Sequence, residues 1–186
     1  EPTALPQEVR LASEIWPDYT DVEGRGMAWD VLRKVFVIQG AATWFVSLPV
    51  QLSSTLGPTP AVLRPVVIVG ALIWAVGLTF EAIGDHQLRR FKSDPAHRGA
   101  IMDRGLWAWT RHPNYFGDSC VWWGLWLVTI CSWLSLATVL SPVLMTYFLV
   151  YATGVRLAEK HMAGRPGFAE YCSRTSFFIP MPPRSG

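Results

Sequence analysis

The chain alternates long apolar runs with short polar segments that hold nearly all of its charge. Four apolar stretches can be drawn, at about 35–56, 62–83, 119–133 and 136–155, the last two sharing one run from Val121 to Val155. That shared run approaches twice the ~20 residues that a bilayer core requires. It therefore predicts a helical hairpin turning near Ser132–Ser135. Pro49 and Pro142 fall inside apolar stretches, where neighbouring helices can satisfy the freed carbonyls. A soluble all-α bundle is the alternative, disfavoured by the length of the runs and the scarcity of charge within them. The expected fold class is all-α: an integral membrane helical bundle with about four transmembrane helices.

The polar segments carry a second pattern. Arg10, Arg25, Arg33 and Lys34 precede the first stretch. Arg89, Arg90, Lys92, Arg98, Arg104 and Arg111 lie between the second and third, and Arg156, Lys160, Arg165, Arg174 and Arg184 follow the fourth. The other two connections, near 53–61 and 132–135, carry no charge, and Arg64 lies just inside the second stretch. Basic residues favour the cytoplasmic side. Both termini, the loop 84–118 and the tail 156–186 are accordingly expected there. The segment 1–34 is read as a cytoplasmic loop or surface helix ahead of the membrane domain 35–186. Ile179–Arg184, rich in proline, reads as a tail. A membrane is the expected location.

Composition sharpens this. The chain is 51% hydrophobic and 16% charged, with a formal net charge of +2. Soluble domains carry roughly a quarter charged residues. The small net charge and the lack of a basic stripe argue against nucleic acid. Cys120, Cys131 and Cys172 show no CxxC spacing and support neither a disulfide framework nor a zinc site. His86, His97, His112 and His161 have no metal-like spacing, so no metal is expected. Neither a dinucleotide-binding G-x-G-x-x-G nor a phosphate-binding G-x-x-x-x-G-K-[ST] occurs, and no Ser-His-Asp motif is present. The chain opens on Glu1 without a leader pattern, the start expected of a processed product or a piece of a longer protein.

Three polar constellations stand where they are costly to desolvate. Glu81, Asp85, Arg89 and Lys92 fall within about an 80° sector of a helix. Carboxylates there could hold ribose hydroxyls and the bases phosphate; a solvated helix end with i,i+4 ion pairs is the plainer reading. Residues 104–118 read RGLWAWTRHPNYFGD. Pro113 suits a first helical turn, whose free N–H groups favour an anion. Arg111 and His112 add donors, and Asn114 and Asp118 share a face, with Asn114 able to pair with an amide. A basic aromatic interface anchor is the alternative; it accounts for Arg111, Trp107 and Trp109 better than for Asn114 and Asp118. Arg156, with Glu159 and Lys160 one turn on, could clamp phosphate or snorkel. Tyr171 and Arg174 share a face if their segment is helical; an amphipathic juxtamembrane tail is the alternative.

These residues resemble the steroid 5-alpha reductase and sterol reductase superfamily, most of all its bacterial membrane branch, and this resemblance implies a bacterial inner membrane. The likeness rests on Arg111-His112-Pro113-Asn114-Tyr115-Phe116-Gly117-Asp118, preceded by Glu81-x-x-x-Asp85 and a basic stretch, and on Arg156…Glu159…Phe168-Ala169-Glu170-Tyr171…Pro180. It covers about 18–183. The central motif is shared in altered form with isoprenylcysteine carboxyl methyltransferases, which show Ser at the position of Asn114. The resemblance implies NADPH-dependent reduction of a carbon–carbon double bond in a steroid-like or other lipid enone. Asp85, Arg89, Lys92, Asn114, Tyr115 and Arg156 would hold the cofactor, with Glu81, Asp118 and Tyr171 nearby and Arg111 and His112 in the same motif. The expected partners are a hydrophobic small-molecule substrate and membrane lipid, with no nucleic acid. Family reductases have more spans than this chain and carry their ketone-polarising residues on the early ones, so catalytic residues are not assigned. The resemblance then implies a piece of a longer protein, a partner chain supplying the missing helices, or a variant that binds cofactor without full reductase activity. An S-adenosylmethionine-dependent membrane methyltransferase and a non-catalytic, sterol-binding membrane subunit are the competing readings.

Overall fold

The computed structural model describes residues 36–152 and 154–184, and these are helical apart from turns and one isolated bridge. The expected segment 1–34 lies outside them. The chain divides after Phe45 into two compact units. Helix α1 (Ile38–Val46) ends one residue past that division. Within the second unit, helix α2 (Leu48–Leu56) follows, with Pro49 in its first turn. The expected span 35–56 is thus two helical pieces meeting at Ser47. Pro49 has no N–H to give the preceding turn, and Ser47 bonds forward through its carbonyl and side chain to Gln51 instead.

The central element is α3 (Arg64–Ser93), entered through a single turn at Ala61–Leu63. Its 30 residues run about 45 Å at 1.5 Å per residue. It continues well past residue 83, where the expected span ended, because the following residues through Arg89-Arg90 are compatible with helix. Asp94-Pro95 then stops it. A four-residue helix α4 (Leu106–Trp109) precedes α5 (Pro113–Val128), which starts earlier than the expected span 119–133. The chain turns over Thr129–Trp133, where the Ser135 hydroxyl accepts from the N–H groups of Cys131 and Ser132. It resumes in a tight turn at Leu134–Val139, then α6 (Leu140–Tyr147) and a wide turn at Phe148–Ala152. Gly154 breaks the run ahead of α7 (Val155–Met162), since a Cβ there would strike the Leu149 carbonyl. Helix α8 (Phe168–Arg174) and an extended tail close the chain.

The core is the antiparallel contact of α3 with α5, and glycine makes it. Gly70, Gly77 and Gly84 are the buried residues of α3 and recur at seven-residue spacing. They meet Gly124, Gly117 and Pro113 of α5 in reverse order. A Cβ on Gly117 would sit 2.5 Å from the backbone nitrogen of Glu81, and one on Gly124 2.5 Å from that of Trp74. Small residues let helix backbones approach this closely where van der Waals packing rather than water drives association. The opposite face of α3 carries Ile68, Leu72 and Val76, between 51% and 61% exposed. A bare apolar face of this extent needs a cover, and a bilayer supplies one. Two helical stretches, Ala61–Ser93 and Leu134–Met162, are long and apolar enough to cross a membrane.

Gly117→Leu is expected to wedge the two backbones apart and cost more than about 3 kcal/mol. The measure is the melting temperature and monodispersity of detergent-solubilised protein. Gly40→Ala, with open space around the added methyl, should be neutral or stabilising by up to about 1 kcal/mol.

Candidate functional site

The site forms where α3, α4, α5, α7 and α8 come together beyond the apolar core. At the end of α3, Asp94 accepts the Ala96 N–H at 2.9 Å and starts a turn at Pro95–His97. That turn lays the His97 ring on Phe91, with centroids 4.3 Å apart. Gly105 then bends the chain with a φ of +60°, where a side chain would also strike Gln87. Gln87 accepts the Leu106 N–H at 3.0 Å, so α4 is anchored to α3. Trp107, buried on α4, donates its indole N–H to the Gly84 carbonyl at 3.0 Å and accepts the Tyr171 hydroxyl on its own carbonyl at 2.7 Å.

The RHPN segment leaves α4 in extended form and pairs with the tail. Arg111 N–H donates to Ser176 at 2.9 Å, Met181 N–H to Trp109 at 3.0 Å, and the buried Thr110 hydroxyl to Phe178 at 2.8 Å. Pro113 then opens α5. Arg111 and His112 converge on one oxygen of Glu159 from α7, with Arg111 Nε at 2.8 Å and His112 Nε2 at 3.1 Å. The Arg111 Nε–H points off the line to that oxygen, so this contact is an ion pair rather than a hydrogen bond. Arg111 also donates to the Cys172 carbonyl and lies over the Phe177 ring. Burial pushes the His112 imidazole below the ordinary histidine range, against the opposing pull of Glu159. Burial likewise pushes the Tyr171 phenol and the Cys172 thiol up.

These elements enclose a cavity of about 510 Å³, within the ~300–1,000 Å³ usual for small-molecule and cofactor sites. Its walls are mixed. Phe91, Met102, Trp107, Tyr115 and Met162 are apolar or aromatic, and Lys92, Arg98, Arg111 and Arg165 are basic. Lys92, Arg98 and Arg165 are exposed and form no ion pair among the described residues. Asn114 Oδ1 is buried in the wall without a hydrogen-bond partner, and so is His97 Nδ1, 3.6 Å from the nearest Asp94 oxygen. A buried polar atom left unpaired is costly, and a bound polar group would relieve it.

Of the residues singled out in the sequence, Lys92, Arg111, His112, Asn114, Tyr115 and Tyr171 line this cavity together. Glu81, Asp85, Arg89, Asp118 and Arg156 do not. Glu81 lies within electrostatic reach of Asp85 and, across the glycine contact, of Asp118. Arg89 is exposed on α3, and Arg156 lies 4.5 Å over the Tyr151 ring. Tyr171 and Arg174 do share helix α8, but Arg174 turns away to pair with Asp103. Sequence reasoning missed Arg98, Arg165, His97 and Phe91 as cavity residues. The stop signal Asp94-Pro95 and the Gly99 turn were the available hint that 97–102 folds back over the end of α3.

Two outcomes follow. Tyr171→Phe removes the donor to the Trp107 carbonyl and should cost about 1–3 kcal/mol, read as a lower melting temperature. Burial lowers the His112 value in the fold below the ordinary 6.5, so as the pH falls the unfolded chain binds the extra proton more readily than the folded one. Stability should therefore fall as pH drops through that value towards the lower folded one. Melting temperatures taken between about pH 7.5 and about pH 5.5 should decline, and His112→Gln should flatten the decline.

A family model described as "Protein of unknown function (DUF1295)" matches residues 17–175. The chain is similar to 3-oxo-5-alpha-steroid 4-dehydrogenase 1 of Mus musculus, 28% identical over 120 residues that cover 64% of this chain. The match spans 44% of the length of that relative. No solved structure matches the chain. The chain belongs to the DUF1295 family, and with it to the steroid 5-alpha reductase superfamily.

Proposed function

We propose that this chain forms the cofactor-binding part of a membrane reductase that uses NADPH to reduce a carbon–carbon double bond in a steroid-like or other lipid enone. The observation that carries the reading is the cavity beside Asn114: unpaired cations at its mouth, an orphaned amide oxygen in its wall and aromatic rings between them. The donor set fits a dinucleotide. Lys92, Arg98 and Arg165 would hold phosphate groups, which are strongly attracted to unpaired cations. Asn114 would accept an N–H of the nicotinamide carboxamide through Oδ1 and return a donor through its amide nitrogen. Phe91, Trp107 and Tyr115 would keep water from the reactive ring. When bound, NADPH supplies the hydride. The protein's part is to hold the donor in place and exclude solvent.

The mouse relative is named for action on a 3-oxo-5-alpha-steroid, which supports a lipid enone as the substrate class. The exposed apolar face of α3 supports delivery of that substrate from membrane lipid. Four spans with cytoplasmic termini in a bacterial inner membrane remain part of the proposal, as does a partner chain contributing helices.

NADPH should raise the melting temperature of the detergent-solubilised chain, by ligand binding to the folded state. Asn114→Ala and the pair Lys92→Ala, Arg98→Ala should each reduce that gain. A wild-type chain whose melting temperature ignores NADPH but rises with S-adenosylhomocysteine would overturn the reading in favour of methyl transfer.

A further inference from the structure

The cavity has a charge gradient, and one residue outside it creates the gradient. Lys92, Arg98 and Arg165 at the mouth are exposed and without carboxylate partners among the described residues. On the inner wall the Arg111 side chain is 11% exposed and that of His112 2%. Both are held by the same oxygen of Glu159. Glu159 does not line the cavity, whereas Ala158 and Met162 of the same helix do. It stands behind the wall and cancels the charge of the one part-buried guanidinium in it. A charge acts far more strongly at a partly buried site than at an exposed one, so an uncancelled Arg111 would compete with the mouth for any phosphate.

We propose that Glu159 is a positioning residue. By neutralising Arg111 and holding His112, it leaves the uncompensated positive charge at the mouth, so that a dinucleotide binds with its phosphates outward and its uncharged nicotinamide against Asn114. This inference rests on the NADPH reading above and adds what sets the ligand's direction. Glu159→Gln keeps the shape and an acceptor oxygen but removes the charge. It leaves Arg111 as a part-buried cation without a counter-charge that draws phosphate inward.

The test compares two ligands on the full chain in detergent: NADPH, and 2′,5′-adenosine bisphosphate, which has the phosphate-bearing adenosine end and no nicotinamide. Glu159→Gln should weaken NADPH about tenfold while leaving the bisphosphate unchanged or tighter, so that the affinity ratio falls about tenfold. Glu159→Asp, which keeps the charge, should recover most of the ratio. If Glu159→Gln does not fold alone, the double variant Arg111→Gln, Glu159→Gln removes charge and counter-charge together and should restore the wild-type ratio. A role confined to packing weakens both ligands alike. A ratio that shifts less than about threefold in Glu159→Gln, or stays low in the double variant, overturns the proposal. A wild-type chain that binds neither ligand sinks the NADPH reading and this inference with it, whereas NADPH binding with an unmoved ratio sinks only the inference.

Discussion

The close approach of α3 and α5 is the constraint on which the rest depends. Gly70, Gly77 and Gly84 lie against Gly124, Gly117 and Pro113 with no room for a Cβ at the tightest points. That contact sets where α5 begins. Pro113 and Asn114 pack directly on Gly84, and the carbonyl of the same Gly84 receives the Trp107 indole. Trp107 in turn receives Tyr171 from α8. A chain of two hydrogen bonds thus carries the register of the α3–α5 pair out to the last helix, and the cavity is assembled along it.

Electrostatics then divides the cavity. The basic residues that a topology argument counts as one class fall into two once their partners are seen. Arg111 and Arg174 are spent on Glu159 and Asp103, whereas Lys92, Arg98 and Arg165 stay open to solvent and to any anion. Three exposed cations around a neutral, aromatic floor favour a ligand charged at one end and flat and polar at the other. That description is more selective than a count of positive charge, because an exposed cation is cheap and a buried one must be compensated.

Much of this was legible beforehand, and the remainder was hidden for identifiable reasons. Apolar runs gave the helices, though not the extension of α3 to the Asp94-Pro95 stop, and the RHPN motif singled out Asn114 and His112, which line the same cavity. Helical spacing also grouped Glu81, Asp85, Arg89 and Lys92, but only Lys92 reaches the cavity. Spacing reports a face, whereas the last turn of α3 matters here because the 97–102 loop folds over it. Glu159 was visible only as a partner for its helical neighbours, since its contact with Arg111 spans elements far apart in the chain. The glycine heptad could have been read. Three glycines at 70, 77 and 84 followed by two at 117 and 124 announce a close helix pair, and hydropathy, which weighs glycine near zero, passes over them.

The tail beyond α8 gives a further consequence. Its backbone pairs with Trp109 and Arg111, and its Phe178 carbonyl takes the Thr110 hydroxyl, so the RHPN segment is braced by residues that a ribosome makes about 68 residues later. The apolar helices can enter the membrane and pair before those residues exist. Formation of the glycine contact and bracing of the cavity wall are therefore separable steps in the folding of the chain. A chain lacking the residues after α8 would keep every residue of its glycine contact and lose the brace on its cavity wall.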